Sequence, residues 1–98
     1  MACRVGPDVE SELESLWAYI ADESENPETA KRVVHSITKR FSLLGKYPHI
    51  GRTRDDLRRG LRSLAVGSFV IIYRIDGDDV LILHVLHGRR DIQNLLGD

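Results

Sequence analysis

The chain has 98 residues, of which 42% are hydrophobic and 30% charged, and its formal net charge is −1. These values predict one soluble globular domain over residues 1–98 and exclude a disordered chain. No apolar run approaches the roughly 20 residues that span a bilayer, and no signal-peptide stretch is present, so we expect a cytoplasmic protein without membrane contact. Cys3 is the single cysteine, and His35 and His49 lack ligand spacing, so we expect neither a disulfide, a metal nor a cofactor.

The small net charge hides an uneven distribution along the chain. Residues 1–28 contain eight acids against Arg4, a charge of −7, and residues 75–98 contain five acids against two arginines, a charge of −3. Residues 29–74 contain eleven basic residues against two acids, a charge of +9, and such a block produces a local positive field. Its densest part predicts a surface for an anionic partner, formed by Arg52, Arg54, Arg58, Arg59 and Arg62.

Hydrophobic periodicity predicts an amphipathic helix over residues 7–23. Apolar residues recur at helical spacing from Val9 to Ile20, and Pro7 suits a first helical position. Trp17 is near the centre of this stripe, so we expect it in the core against residues of a second helix, namely Val34, Ile37 and Phe41. The segment Ala2–Val5 before the helix is expected to add a short edge strand.

A second helix is predicted to begin after Asn26. An asparagine side chain can accept a hydrogen bond from a first-turn N–H, and Pro27 follows at the first helical position. The apolar stripe continues to Leu44, and Gly45 is expected just beyond the helix end. Because only a few residues separate the two helices, they should form an antiparallel hairpin.

The pattern changes after the second helix. Residues 46–60 are polar and arginine-rich and contain turn signals, which predict a long loop. Three strand-like runs follow at hairpin distance, namely Leu61–Val66, Phe69–Ile75 and Val80–Leu86. This order predicts an α+β fold in which the helix hairpin packs on a mainly antiparallel sheet of three to four strands, the short N-terminal strand included.

Both faces of the predicted sheet are apolar. In the central strand, Ile71 and Tyr73 lie on one face, whereas Val70 and Ile72 lie on the other. Two helices can cover only one face of a small sheet, so we expect a partner on the other. Cover by the long loop and the C-terminal residues is the alternative for part of that surface. The expected partner contacts are Val70, Ile72, Leu81, Leu83 and Val85.

Four segments resemble the RelE/ParE toxin superfamily, in the same order along the chain. Residues 48–52, PHIGR, resemble its P-x-x-G-R loop, and residues 60–74 resemble its central hairpin. Residues 85–91, VLHGRRD, are similar to the ending of ParE-like members, and residues 16–21, LWAYIA, match the first helix of the family. The resemblance therefore favours the ParE-like branch.

This resemblance implies the toxin of a type II toxin–antitoxin system, held in a hetero-oligomer by a ParD-like antitoxin. ParE-like members are associated with inhibition of DNA gyrase, which would require neither a catalytic residue nor sequence-specific DNA binding by the chain alone. Under this hypothesis the target surface comprises the arginine cluster defined above together with His87, Arg89 and Arg90.

RelE-like members imply an alternative, which is ribosome-dependent mRNA cleavage. Such cleavage needs a base, an acid and cations around the phosphate. The sequence offers His84, His87, Arg62, Arg74 and Arg89 for these roles. However, RelE-like enzymes typically have an important tyrosine near the C-terminus, and here no tyrosine follows Tyr73. A third hypothesis is a toxin-derived binding module without toxicity.

Overall fold

The computed structural model describes residues 3–88 and 91–92 and confirms the α+β prediction. A short strand comes first, then two helices, then four strands. The elements are β1 (Cys3–Val5), α1 (Val9–Ser24), α2 (Pro27–Lys46), β2 (Arg52–Thr53), β3 (Arg62–Val66), β4 (Phe69–Asp76) and β5 (Asp79–His87). Among the described residues, neither α1 nor α2 has the length and apolar composition of a membrane-spanning helix.

The strands form one mixed sheet in the order β1-β5-β4-β3-β2. β1 lies parallel to β5, and the other neighbours are antiparallel. The sheet is one strand wider than expected, because β2 lies inside the predicted long loop and pairs with β3 through Arg52↔Ser63 and Thr53↔Arg62. A two-residue strand has too little alternation to be recognised from sequence.

The helix boundaries follow local hydrogen bonding. The Asn26 side chain accepts a hydrogen bond from the Glu28 N–H at 3.0 Å, which confirms the predicted N-cap of α2. α1 begins at Val9, so the placement of Pro7 inside the helix is wrong. The predicted end at Gly45 is also wrong, because this residue is buried within α2, which continues through Lys46.

The core lies between the helix hairpin and one face of the sheet, which we call the inner face; the opposite face is the outer face. α1 packs on α2 and on β5, and α2 also contacts β1 and β5. The buried core residues are Val9, Leu16, Ile20, Ala30, Ile37, Leu44, Ile71, Tyr73, Val80, Ile82 and Val85.

Trp17 is not a core residue, so that prediction is wrong. Its exposed fraction is 41%, whereas its neighbour Leu16 is buried. The buried positions of α1 are Val9, Leu16 and Ile20, with Leu13 partly buried beside them. Consecutive residues of a helix point about 100° apart, so Trp17 falls at the margin of this stripe.

A β-bulge in β5 changes which of its side chains share a face. Tyr73 lies opposite Ile82, whereas the preceding residue of β4 lies opposite His84, so Leu83 is an extra residue in β5. The extra residue reverses the alternation beyond it. Val85 consequently belongs to the core with only 2% of its surface exposed, and its predicted position on the outer face is wrong.

Candidate functional site

A cleft of about 270 Å³ lies on the outer face, beside the loop between β2 and β3; we call it the outer cleft. Ile72 in its lining is fully buried, and Leu83 is half-buried. Three exposed arginines also line it, Arg58 and Arg59 from the loop and Arg74 from β4. The structure thus brings part of the predicted basic cluster beside the predicted apolar surface.

Hydrogen bonds join the two ends of the loop over residues 54–61. The backbone N–H of Arg54 donates to the Leu61 carbonyl at 2.8 Å. Within the loop, the Asp55 carboxylate accepts the Gly60 N–H at 3.0 Å. The loop is therefore an ordered wall of the outer cleft, although its sequence is mostly polar.

The loop also contains an ion pair between Arg54 and Asp56. The Arg54 guanidinium donates two hydrogen bonds of 3.0 Å to the Asp56 carboxylate. These bonds raise the pKa of Arg54 and lower the pKa of Asp56. Arg58 and Arg59, by contrast, have no carboxylate partner among residues 3–88 and 91–92. Only part of the predicted arginine cluster is therefore available to a ligand.

The loop also covers part of the outer face. Leu57 and Leu61 are half-buried and line the outer cleft beside Ile72, which has no exposed surface. The sequence left open whether the long loop covers part of the outer face, and at Ile72 it does. The remaining predicted partner contacts on this face, Val70, Leu81 and Leu83, are half-buried.

Arg62 supports the PHIGR segment instead of lining the outer cleft. Its Nη2 donates to the backbone carbonyls of Gly51 at 3.0 Å and His49 at 3.2 Å. Its Nε is buried without a hydrogen-bond partner in the described part of the chain. Arg62 and Arg74 therefore do not act together around one ligand in this arrangement. Arg52 lies in β2 and is exposed.

Tyr73 fixes the same segment from the core. Its hydroxyl donates to the Pro48 carbonyl at 2.7 Å and accepts the Gly51 N–H at 2.9 Å. A Cβ atom at position 51 would lie only 2.4 Å from that hydroxyl, so the glycine is required for this close approach. The glycine of the family-like P-x-x-G-R segment thus has a structural role here.

His84 lines the outer cleft and is held by a helix residue that the sequence did not single out. Its Nδ1 lies 2.8 Å from Oε2 of Glu12, and Oε1 of Glu12 accepts the Val85 N–H at 2.9 Å. This contact ties α1 to the bulged part of β5. Nothing local in the sequence distinguishes Glu12 from the other acids of α1.

His87 belongs to a second cleft of about 310 Å³, between α1 and the end of β5. The rings of Tyr19 and Phe69 lie edge-on to it, with centroid distances of 6.1 and 5.4 Å. The His87 N–H donates to the Asp91 carboxylate at 2.7 Å. Its ring Nδ1 is buried and unpartnered within the described residues. His87 is therefore engaged in contacts within the fold.

The residues proposed for RNA cleavage are consequently dispersed. His84 and Arg74 share the outer cleft, whereas His87 lines the second cleft and Arg62 contacts the PHIGR segment. Arg89 and Arg90, which the sequence assigned to the target surface, lie outside the described residues.

Two other features bear on chemistry. Over the described ranges, no group of three histidine, cysteine or acidic residues is arranged to hold a metal ion. Burial raises the pKa of the Cys3 thiol, which favours the less reactive protonated form.

Comparison with known proteins gives consistent matches over nearly the whole chain. Residues 4–92 match the family described as ParE toxin of type II toxin-antitoxin system, parDE. Toxin ParE3 of Caulobacter vibrioides is 37% identical over 89 residues, which cover 91% of this chain and 88% of that protein. Toxin ParE1 of Mycobacterium tuberculosis is 28% identical over 93 residues, covering 94% of each chain.

A solved structure of the chromosomal ParDE TA system from P. aeruginosa has a similar fold. The TM-score is 0.79 at 20% sequence identity, and the match covers 91% of this chain and 97% of that chain. At this identity the likeness concerns the arrangement of helices and strands.

Proposed function

The chain belongs to the ParE toxin family, the toxins of type II toxin–antitoxin systems, and on that premise we propose that it inhibits DNA gyrase in the cytoplasm. An antitoxin of the ParD type neutralises it. We favour a toxin that acts by binding over a nuclease because His84 lies apart from His87 and Arg62.

The separation matters because RNA cleavage without a metal requires its groups around one phosphate. A base, an acid and a cation must all lie within hydrogen-bond reach of the reacting atoms. Here, His84 is bonded to Glu12, and His87 lies between two aromatic rings in another cleft. Arg62 already donates to backbone carbonyls. This arrangement supports a toxin that acts by binding.

The exposed arginines supply the surface for the target. Arg52, Arg58 and Arg59 are exposed, whereas Arg54 is paired with Asp56 inside the loop. A guanidinium can bind a carboxylate or phosphate through two parallel hydrogen bonds. We therefore assign Arg52, Arg58 and Arg59 to contacts with an acidic surface of gyrase.

The outer face supplies the surface for the antitoxin. Val70, Leu81 and Leu83 retain part of their exposure and do not belong to the core beneath the two helices. An antitoxin segment that folds on binding can cover such a surface. The binding is still reversible, because proteolysis of the free antitoxin draws the complex apart. Binding to the folded toxin should also raise its melting temperature.

The decisive experiment compares two target assays on the purified chain. We expect inhibition of gyrase supercoiling on relaxed plasmid, together with intact mRNA in a translation reaction that contains ribosomes. The variant Arg58→Glu/Arg59→Glu should lose gyrase inhibition and keep its melting temperature, because exposed loop charges contribute little to stability. The matched control is Lys31→Glu/Arg32→Glu, the same charge change at exposed positions of α2.

Each result has a defined meaning. Site-specific mRNA cleavage that is lost in His84→Ala would replace gyrase inhibition with the nuclease mechanism. Full gyrase inhibition by a folded Arg58→Glu/Arg59→Glu variant would move the target surface away from the loop. Loss of inhibition in the α2 control as well would indicate a general dependence on net charge and not a specific surface.

A further inference from the structure

The outer cleft has an excess of positive charge that the described residues do not neutralise. Arg4, an exposed arginine of β1, is neutralised by Asp76 at 2.7 Å and by Asp79 at 3.5 Å. Arg58, Arg59 and Arg74 have no carboxylate partner within the described ranges, although all three line one cleft. Three unpaired cations around one cleft produce a local positive field that attracts an anionic ligand.

The Glu12–His84 contact prepares a fourth polar group in the same cleft. The Glu12 carboxylate accepts from Nδ1–H, which leaves Nε2, the acceptor nitrogen of that tautomer, for an N–H or O–H group of a ligand. Because the other oxygen of Glu12 is bound to the Val85 N–H, the ring is fixed relative to β5. An oriented polar group loses less conformational entropy on binding than a free one.

The apolar part of the lining favours a peptide over a nucleic acid. Its lining includes Leu57, Leu61, Ile72 and Leu83, and none of the described residues that line it is Phe, Tyr or Trp. Single-stranded nucleic acids are usually bound by basic grooves that also offer aromatic rings for base stacking. An aliphatic lining instead suits an aliphatic side chain of a protein.

We propose that the outer cleft binds an acidic residue of the antitoxin together with a neighbouring aliphatic side chain. The carboxylate is bound by Arg74, with Arg58 and Arg59 contributing to the field around it, and the aliphatic group lies on the half-buried leucines Leu57, Leu61 and Leu83. This inference rests on the proposed neutralisation by an antitoxin. It adds a specific chemistry for the contact and places part of it beside the proposed target surface.

The overlap of the two surfaces has a consequence for neutralisation. Arg58 and Arg59 line the cleft and also belong to the surface assigned to gyrase. An antitoxin segment in the cleft would therefore block target binding directly, without a change in the fold of the toxin.

The test uses the antitoxin encoded beside this chain and measures its affinity by titration. We expect Arg74→Glu to weaken binding by at least about tenfold, because reversal of one partner in a charged contact replaces attraction with repulsion. Arg74→Met keeps much of the side-chain stem and should have a smaller effect. The matched control Arg32→Glu, at an exposed position of α2, should bind like the wild type.

A charge swap then identifies the acid on the antitoxin. Each Asp and Glu of the antitoxin is changed to Arg, and one of these variants should bind Arg74→Glu at least about tenfold more tightly than the unchanged antitoxin does. Rescue by a single position supports the inference, because a general loss of stability would not be repaired by a change in the partner.

Failure of the inference is distinguishable from failure of the proposed function. Normal antitoxin binding by a folded Arg74→Glu variant overturns the inference and leaves neutralisation intact. Absence of binding to the wild-type chain overturns both. Unchanged antitoxin affinity with reduced affinity for a 20-nucleotide RNA would assign the cleft to a nucleic acid instead.

Discussion

On the inner face of the sheet, Tyr73 and Ile82 are fully buried beneath the two helices, whereas on the outer face Leu81 and Leu83 keep part of their surface exposed. The same strands form both faces. On the outer face, however, a loop and not a helix packs beside Ile72. This difference indicates that the helix-packed face provides most of the folding free energy. The outer face can then retain the exposed apolar and charged groups that binding requires.

Polar contacts hold the loop beside the outer cleft. The loop is closed by the Arg54–Leu61 backbone bond and by the side chains of Asp55 and Asp56. Such contacts contribute less to stability than a dry core does, because the groups are also well solvated in the unfolded chain. Substitutions in the core and in the outer face separate these two contributions.

The strongest contrast should come from neighbouring residues of β5. Ile82→Ala creates a cavity in the core and should lower the free energy of unfolding by about 2–5 kcal/mol. Leu81→Ala removes a half-buried side chain on the outer face and should cost about 1 kcal/mol. Urea denaturation of both variants measures the difference. Equal losses would mean that the outer face contributes to folding as much as the core.

A smaller effect is expected where the core supports the loop. Tyr73→Phe leaves the Pro48 carbonyl and the Gly51 N–H without the hydroxyl that now joins them, which should cost about 1–3 kcal/mol. Tyr47→Phe is the control, because Tyr47 is 57% exposed. The two variants are compared by thermal melting. A Tyr73→Phe protein as stable as the control would show that water replaces the hydroxyl at little cost.

Trp17 tests whether the margin of α1 belongs to the core. Because it is 41% exposed, we expect Trp17→Ala to lower the free energy of unfolding by about 1–2 kcal/mol. Leu16→Ala, at the adjacent buried position, should cost about 2–5 kcal/mol. Denaturant titration ranks the two. A larger loss at Trp17 would return it to the core that the sequence pattern predicted.

The sequence predicted those parts of the fold that depend on local patterns. Both helices, the Asn26 cap and the three longer strands follow from periodicity and turn residues, which act over short distances. β2 and the extra residue Leu83 could not be predicted in this way. Each is defined by pairing with another strand, and neither changes the local composition.

The candidate site was predictable only in part, for the same reason. The arginine-rich segment and the apolar outer face were visible in the sequence, but their meeting in one cleft depends on the fold. The Glu12–His84 contact joins residues 72 positions apart. Composition also could not show that Arg54 and Arg62 are engaged in local contacts whereas Arg58 and Arg59 are free of carboxylate partners in the described ranges.

The smallest predicted effect concerns pH and the ion pair in the outer loop. The hydrogen bonds from Arg54 lower the pKa of Asp56 in the folded protein. A lowered folded-state pKa means that the unfolded chain binds the proton more readily, so the pair stabilises the fold above the ordinary carboxyl pKa of about 4. This contribution decreases as the pH falls through the lowered pKa of the folded state.

Asp56→Asn should therefore melt slightly below the wild type at neutral pH, and the gap should close in acid. Melting curves between neutral pH and about pH 3 measure this convergence. Asp78→Asn is the matched control, because Asp78 is an exposed acid in the β4–β5 turn with no cationic partner among the described residues. If Asp56→Asn and the control have the same pH dependence, the ion pair adds nothing to folding. The order of the loop would then depend on the backbone hydrogen bond between Arg54 and Leu61 and on the side chain of Asp55. Charge pairing would contribute little to the stability of this loop.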